Sequence, residues 1–564
     1  MNLNIKAQDQ HTFDAIVIGS GVSGGWAAKE LTEKGLKVLM LERGHNLEHG
    51  KYETATKNPW EFEHRGRITQ DQRQSHEKLS RDYPYSEHNE KYWINDSKSP
   101  YQEDKRFDWY RPDIVGGKSI MWGRQSYRWS DLDFEANKKD GIAVDWPIRY
   151  KDIQPWYDYV EKFVGISGSV ENLPQLPDSI FMPAMEMNCV EKDVKAKVEA
   201  SFAGRKMIMG RVANITQPLP GRTNCQFRNL CSRGCPFGGY FSTQSSTLPA
   251  AVATGNLTLR PDSIVNSLIY DDKAGKATGV RVIDKNSKEM IEFYAKIIFV
   301  NGSTLGSTFV LMNSISSRFP NGFGNDSGVL GKYLMDHHFR TGASGTVEGY
   351  DDKYFYGRRP NGLYIPRYRN IGSDKRDYIR GFGYQGGASR SGWSRGIAEM
   401  GVGKDFKEML TEPGKWSMGI GGFGECLPYE DNYVTLDKSV KDEWGQPTLR
   451  FNAEFKENEM KMRKDMANDA AEMLEAAGVK NVKTYDNGSW PGMAIHEMGT
   501  ARMGRDPKTS ILNEFNQVHG AKNVFVTDGA AMTSASCVNP SLTYMALTAR
   551  AADHAVKELK KGNI

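Results

Sequence analysis

Three glycines and three cysteines are the residues whose spacing most clearly announces chemistry. Gly19, Gly21 and Gly24 fall in a Gly-x-Gly-x-x-Gly pattern, directly after the apolar run Asp14 to Ile18 and at the opening of a helical segment. The first glycine permits a tight turn and the second lets backbone approach a pyrophosphate. The third lets helix and strand pack closely, so that phosphates meet the positive helix N-terminus. A second apolar strand, Val38 to Leu41, ends at Glu42, placed to hold a ribose hydroxyl pair, with Arg43 beside it. The pattern specifies a dinucleotide and leaves NAD and FAD both open. Cys225, Cys231 and Cys235 crowd into eleven positions. Thiolates this close on a loop can wrap a metal cluster. Zinc would want a fourth ligand, which is missing nearby, and disulfide pairing would leave one odd thiol. Cys189, Cys426 and Cys537 read as ordinary free thiols.

These groups need a scaffold, and 564 residues are enough for two or more domains with a substantial core. Lys and Arg number 74 against 70 Asp and Glu, a net charge of +4, and the basic residues are scattered. That balance gives no electrostatic case for a nucleic-acid partner. No apolar run approaches the ~20 residues of a spanning helix. The N-terminal residues Met1 to Phe13 have no hydrophobic stretch and no twin arginine, so we expect a soluble chain without a signal peptide of its own.

Along the chain, residues 45–105 are polar and aperiodic, an excursion with one expected helix near Pro59 to Gln70. Gly116 and Gly117, followed by Ser119, suit a backbone that runs flush against a flat ligand. Helices are expected over Tyr150 to Val164, Lys192 to Phe202 and Thr247 to Thr254. Strands are expected over Leu257 to Arg260 and Ile297 to Val300, with a hairpin around Asp271 to Gly279. The second of these strands ends in another glycine turn, Asn301 to Gly306. From about Phe339 to Asn481, aromatic and β-branched residues alternate with glycine and charge in Tyr354 to Tyr368, Tyr378 to Tyr384 and Trp416 to Leu427, which predicts a mostly antiparallel sheet. An amphipathic helix over Asn458 to Ala477 stops at Gly478. Val524 to Val526 is a buried strand ending at Asp528-Gly529, and Leu542 to Lys561 is a closing helix. The expected fold is α/β (α+β overall): a Rossmann-like dinucleotide domain from 1–180, 245–335 and 490–564, a loop-rich cysteine segment at 180–245, and an antiparallel substrate domain at 335–490.

Several separated motifs together resemble the glucose–methanol–choline (GMC) oxidoreductases, a two-domain FAD enzyme family. They are Gly19 to Gly24 with Glu42, Gly116-Gly117-Lys118-Ser119, Asn301 to Ser307, His496 to Gly504, and Asp528-Gly529 followed by Cys537-Val538-Asn539-Pro540. The resemblance spans nearly the whole chain and makes the expected cofactor FAD. Trp122 stands where many members carry Asn, as in pyranose oxidases. Met121 stands where some members link FAD through a histidine, so non-covalent, dissociable FAD is expected. Within the family, the cysteine spacing, Trp122 to Arg128, and Gly424-Glu425 leading to Asp431-Asn432 resemble the catalytic subunits of bacterial glucoside 3-dehydrogenases.

The resemblance implies that His496 is the base for alcohol oxidation and that Asn539 orients the hydroxyl, with hydride passing to flavin N5. A neutral imidazole, with an ordinary pKa of about 6.5, suits that task. His337 and His338 lack such a setting and read as structural. The expected cofactor-binding residues are Gly19, Gly21, Gly24, Glu42, Arg43, Gly116, Gly117, Ser119, Trp122, Asp528, Gly529, Asn539, Pro540 and Thr543. The resemblance further implies a [3Fe–4S] cluster on Cys225, Cys231 and Cys235 that carries electrons onward. The function expected is oxidation of a pyranose or glycoside at C3 to the 3-keto sugar, with glucose (C1), gluconate or polyol oxidation as the alternative. A non-catalytic flavin- or zinc-binding subunit is a third reading. The expected partners are a small twin-arginine-tagged subunit and a c-type cytochrome or other acceptor. The expected compartment is the periplasm, with the cytoplasm as alternative.

Overall fold

The computed structural model describes residues 11–354, 357, 359–392 and 402–564. Most of the N-terminal stretch expected to lack a leader, and three positions within Tyr354 to Tyr368, lie outside the described residues. Thr12–Ile18 forms strand β1, in parallel register with β2, Val38–Leu41, and with β3, Met290–Val300. Leu257–Arg260 continues the sheet beyond β2, and Ala521–Val526 continues it beyond β3. The hairpin of Ser263–Asp271 and Lys276–Asp284 joins the N-terminal half of β3.

A parallel sheet must be covered on both faces, and the alternation along β1 shows how. Ala15 and Val17 pack with Ala27, Ala28 and Leu31 of helix α1, Val22–Glu33, and with Ala551, Ala552 and Ala555 of the closing helix, Ser541–Lys560. The small alanines let both helices settle close to the sheet. Ile16 and Ile18 point the other way, into a cluster with Ile298, Val300 and Met545.

The second sheet is antiparallel. Its centre is β4 (His337–Val347), β5 (Phe382–Arg390) and β6 (Trp416–Glu425), flanked by Lys480–Asp486 on one side and by Leu363–Ile365 and Ile208–Met209 on the other. The helix Glu457–Ala476 covers one face, with Met462, Met466 and Met473 against Tyr384, Met418 and Ile420. A side chain at Gly422 would lie 2.2 Å from the Met466 methyl, so glycine sets how near that helix comes. The opposite face turns Gln385 and Phe423 toward a large cavity between the sheets. Among the described residues, no helix is long and apolar enough to cross a membrane.

Two expectations change. The helix near Pro59 to Gln70 is instead a single turn at Pro59–Glu61 and a short helix at Gln70–Ser75. Arg65 and Gly66 both take positive φ (53° and 80°), which interrupts any continuous helix there. Within 180–245, the helix Cys189–Ser201 packs on the second sheet and Ile208–Met209 pairs with Leu363–Ile365, so these residues help to build that sheet.

Candidate active site

The cavity measures about 1140 Å³. At one end the three N-terminal glycines do three different jobs. Gly19 has φ +90°, and a side chain there would strike the Asn301 carbonyl oxygen at 2.3 Å. A side chain at Gly24 would lie 1.9 Å from the Gly19 carbonyl oxygen, so Gly24 seats α1 against the turn and does not line the cavity. Gly21 has nothing within 4 Å of where its Cβ would be, and it lines the cavity. It is also the N-cap of α1 and supplies no side-chain cap, which leaves the first-turn N–H groups open to a ligand.

Glu42 accepts from Ser20 N (2.9 Å), Ser20 Oγ (2.6 Å) and Gly44 N (2.8 Å), and burial holds its pKa above the ordinary value. Arg43 donates to Ser99 Oγ (3.1 Å) and stacks on Trp444, while its buried Nε has no partner among the described residues. Asn301 binds Thr527 through Oδ1 and leaves on the cavity wall a buried Nδ2 without a partner among the described residues.

The Gly116-Gly117 loop closes over this cradle with φ of +97° and +54°. Gly116 N donates to Ser20 Oγ (2.8 Å), and Ser119 Oγ donates to Gly116 O (2.5 Å). Trp122 is held by its Nε1 donating to Phe241 O (2.8 Å). Asp528 accepts from Ser307 Oγ (2.6 Å) and Ala530 N (3.0 Å), with burial raising its pKa to about 6. Gly529 fits tightly against Thr304 and the Glu497 carbonyl. Gly116, Pro540 and Thr543 stand behind the wall. Pro540 is the N-cap of the closing helix, and the Thr543 hydroxyl is turned inward to Tyr157 OH at 2.7 Å.

His496 and Asn539, 43 positions apart in the chain, meet on the cavity wall, with Asn539 Nδ2 at 3.2 Å from His496 Nε2. Asn539 Oδ1 accepts from Gln385 Nε2 at 3.0 Å. Behind the ring, His496 Nδ1 lies 2.9 Å from His337 Nδ1, and His337 Nε2 lies 2.9 Å from the Ser536 carbonyl oxygen. The reading of His337 as merely structural is therefore corrected: it touches the candidate base. Its partner is 159 positions away, and no local motif marks it. Gln385, in the middle of β5, was also missed. His338 keeps the structural reading, buried between Phe455 and Gly424.

Burial pushes the His496 pKa well down, assisted by His337 and Lys118, and burial lowers His337 to about 4. Both rings are therefore neutral near neutral pH. The loop carrying His496 is clamped by Asp336, whose carboxyl oxygens accept from His496 N (3.0 Å) and Ala494 N (3.1 Å). Burial and the neighbouring Glu497 raise Asp336 to about 8. Glu497 pairs with Lys118 at 2.8 Å and so ties this loop to the Gly116-Gly117 loop.

Residues 13–339 and 428–548 match the two family models of GMC oxidoreductase. The chain belongs to the GMC oxidoreductase family. It is 30% identical to 2-methyl-1,2-propanediol dehydrogenase of Mycolicibacterium austroafricanum, over 96% of this chain and 94% of that one. It is 24% identical to the fructose dehydrogenase large subunit of Gluconobacter japonicus, over 97% and 98%. The fold is shared with formate oxidase from Aspergillus oryzae, at a TM-score of 0.62 and 14% identity, over 98% of this chain and 99% of that one.

As a GMC oxidoreductase the chain is an FAD-dependent enzyme acting on alcohols, and its cradle fits that cofactor. Gly21 leaves room against the open turn of α1, Glu42 keeps spare acceptor capacity, and Asn301 and Arg43 present unpartnered buried donors. The cysteines fit their expected cluster less well. Cys225, Cys231 and Cys235 are partly exposed and unpaired. Burial raises the pKa of Cys225 and Cys231, and both also feel the charge of Cys235 and of Arg124. Yet among the described residues no three His, Cys, Asp or Glu side chains are arranged to hold a metal ion. The three thiols are neighbours without being a formed ligand set.

Proposed function

We propose that this GMC oxidoreductase oxidises a secondary hydroxyl of a sugar, C3 of a pyranose or glycoside, to the ketone and passes the electrons to an external acceptor. The observation that carries this reading is the 3.2 Å pairing of His496 Nε2 with Asn539 Nδ2 on the wall of the FAD cavity. A hydroxyl entering between them donates to His496 Nε2 and accepts from Asn539 Nδ2, so both groups are satisfied by one substrate oxygen. His496, neutral because it is buried, takes the hydroxyl proton. Asn539, held by Gln385, fixes the angle at which the C–H bond is presented. Bound FAD, held without a covalent link, supplies the two-electron acceptor for the hydride that leaves the same carbon. Gln125, Asn361 and Gln385 line the substrate side of the cavity, and their amides suit a ligand rich in hydroxyls.

The test is product analysis by NMR after incubation with a small glycoside panel and an artificial electron acceptor. A 3-ulose supports the reading. A lactone or a keto acid favours the second reading, a glucose, gluconate or polyol dehydrogenase, which the 30% identity to a diol dehydrogenase supports. His496→Gln is expected to lower kcat by ~10³-fold with flavin retained; unchanged dye reduction would sink the assignment of the base. The [3Fe–4S] cluster is a separate part of the proposal, supported by the spacing of Cys225, Cys231 and Cys235 and by the family resemblance. Iron analysis and EPR of anaerobically purified protein decide it, and iron-free active enzyme removes it. Export with a small twin-arginine-tagged subunit, and electron delivery to a c-type cytochrome, are proposals resting on the family resemblance; co-purification from the periplasm tests both.

A further inference from the structure

We propose that His337 is a positioning residue for the oxidation: it accepts from His496 Nδ1–H and so fixes the tautomer that leaves His496 Nε2 as a bare lone pair facing the substrate. The Ser536 carbonyl can only accept, so His337 Nε2, 2.9 Å away, carries a proton. His337 is neutral and has one N–H, so its Nδ1 is a lone pair. That lone pair lies 2.9 Å from His496 Nδ1, and two lone pairs do not face each other at hydrogen-bond distance. His496 Nδ1 therefore carries the proton. As a neutral ring, His496 then keeps Nε2 unprotonated, where the Asn539 amide already donates to it. The order of donation runs from the catalytic pocket inward, and it ends on a backbone carbonyl that no side-chain rotation can reverse.

The relay also crosses the molecule. His337 opens β4 of the antiparallel sheet, whereas His496, Ser536 and Asn539 lie on loops that pack over the parallel sheet. The opposite tautomer would place a donor on Nε2, unable to take the hydroxyl proton. Unlike Asp336, which holds the backbone of His496, His337 sets the protonation pattern of the ring.

The proposal rests on His496 being the base of the preceding section, and its test separates the two. The protein is labelled with ¹⁵N-histidine, loaded with FAD, and the His496 and His337 signals are assigned by their loss in His496→Gln and His337→Gln. The expected result is an Nδ1–H, Nε2-bare ring for His496 and an Nε2–H ring for His337. An Nε2–H ring for His496 in the wild type overturns the proposal whatever the activity. In His337→Leu, which has no acceptor, His496 is expected to shift toward the Nε2–H tautomer, and kcat to fall ~10²–10³-fold while KM changes less than ~3-fold. His337→Gln, whose amide accepts from His496 and donates to Ser536 O, is expected to recover kcat to within ~10-fold of wild type. Equal losses in the Leu and Gln variants, or an unchanged His496 tautomer in His337→Leu, overturn it. Retained activity in His496→Gln instead overturns the base assignment and leaves the tautomer result standing.

Discussion

Ile495, immediately before the candidate base, carries a β-branched side chain at φ +61°, a backbone region such residues avoid. The strain is held by the Asp336 carboxyl, which accepts the N–H groups on either side of Ile495. The result is an imidazole fixed in a buried setting that keeps it neutral, and this has a kinetic consequence. The reaction needs neutral His496, and its folded pKa lies well below 6.5, so acidification reaches the inactive cationic form late. The log of kcat/KM is expected to stay flat from pH 7.5 through 6.5, with its acid limb below the ordinary histidine value. An inflection at 6.5 or above would contradict that environment. Of this site, His496 and Asn539 were legible in the sequence because each sits inside a short motif. His337 was not, because its role is defined by one distant ring and one backbone carbonyl, and Gln385 was not, because a strand's periodicity does not mark which amide faces a cavity.

At the scale of elements, legibility followed periodicity. The helix Tyr150–Val164 appears with the bounds the pattern predicts because one buried face dictates it, and the strand Val38–Leu41 because its apolar run is buried on both faces of the parallel sheet; Leu257–Arg260 keeps its expected bounds as well. The 45–105 excursion was unreadable because side-chain contacts hold it rather than any repeating face. Arg111 binds Asp96, Arg340 reaches back to Asp82, and Thr54 Oγ1 donates to His88 O. The glycine turn was readable as a motif, and the structure separates its functions into testable parts. At Gly21, φ is −67° and nothing lies within 4 Å of a Cβ, so Gly21→Ala meets no clash and is expected to cost about 1 kcal/mol or less, the preference for glycine over alanine at an N-cap. Its methyl stands in the cavity, so FAD affinity is expected to fall at least ~10-fold. At Gly24 the methyl would meet a carbonyl oxygen at 1.9 Å, and lifting α1 off the turn costs about 1–3 kcal/mol or more. Flavin titration and thermal melts of the two variants distinguish them. Equal destabilisation by both would mean that Gly21 is also a packing residue.

Across the whole molecule, groups of opposite protonation preference are buried where the two sheets meet. His337, His338 and His496 are all held below the ordinary histidine pKa by burial. The unfolded chain therefore binds protons that the fold refuses, and these rings cost stability as pH falls below 6.5, for His337 down to about 4. Asp336 and Asp528 are held above the ordinary carboxyl value, at about 8 and about 6, by burial. Here the fold keeps protons that the unfolded chain releases, and stability is lost as pH rises through those values. Between pH 4 and 6.5 the two sets oppose each other and flatten the profile. Above 6.5 the histidines no longer contribute and Asp528 is already ionised, so Asp336, with Glu497 beside it, sets the slope. One such group changes stability by about 1.4 kcal/mol per pH unit, or about 2 kcal/mol from pH 6.5 to 8. The Tm of the FAD-loaded enzyme is therefore expected to decline over that interval. Asp336→Asn, isosteric with the protonated acid and unable to ionise, is expected to start lower, because one amide oxygen replaces two acceptors, but to lose most of the decline. A variant whose Tm falls as steeply as that of wild type would place the titrating group elsewhere and would leave Asp336 ionised, a buried anion accepting the N–H groups that flank Ile495 with no ion-pair partner among the described residues.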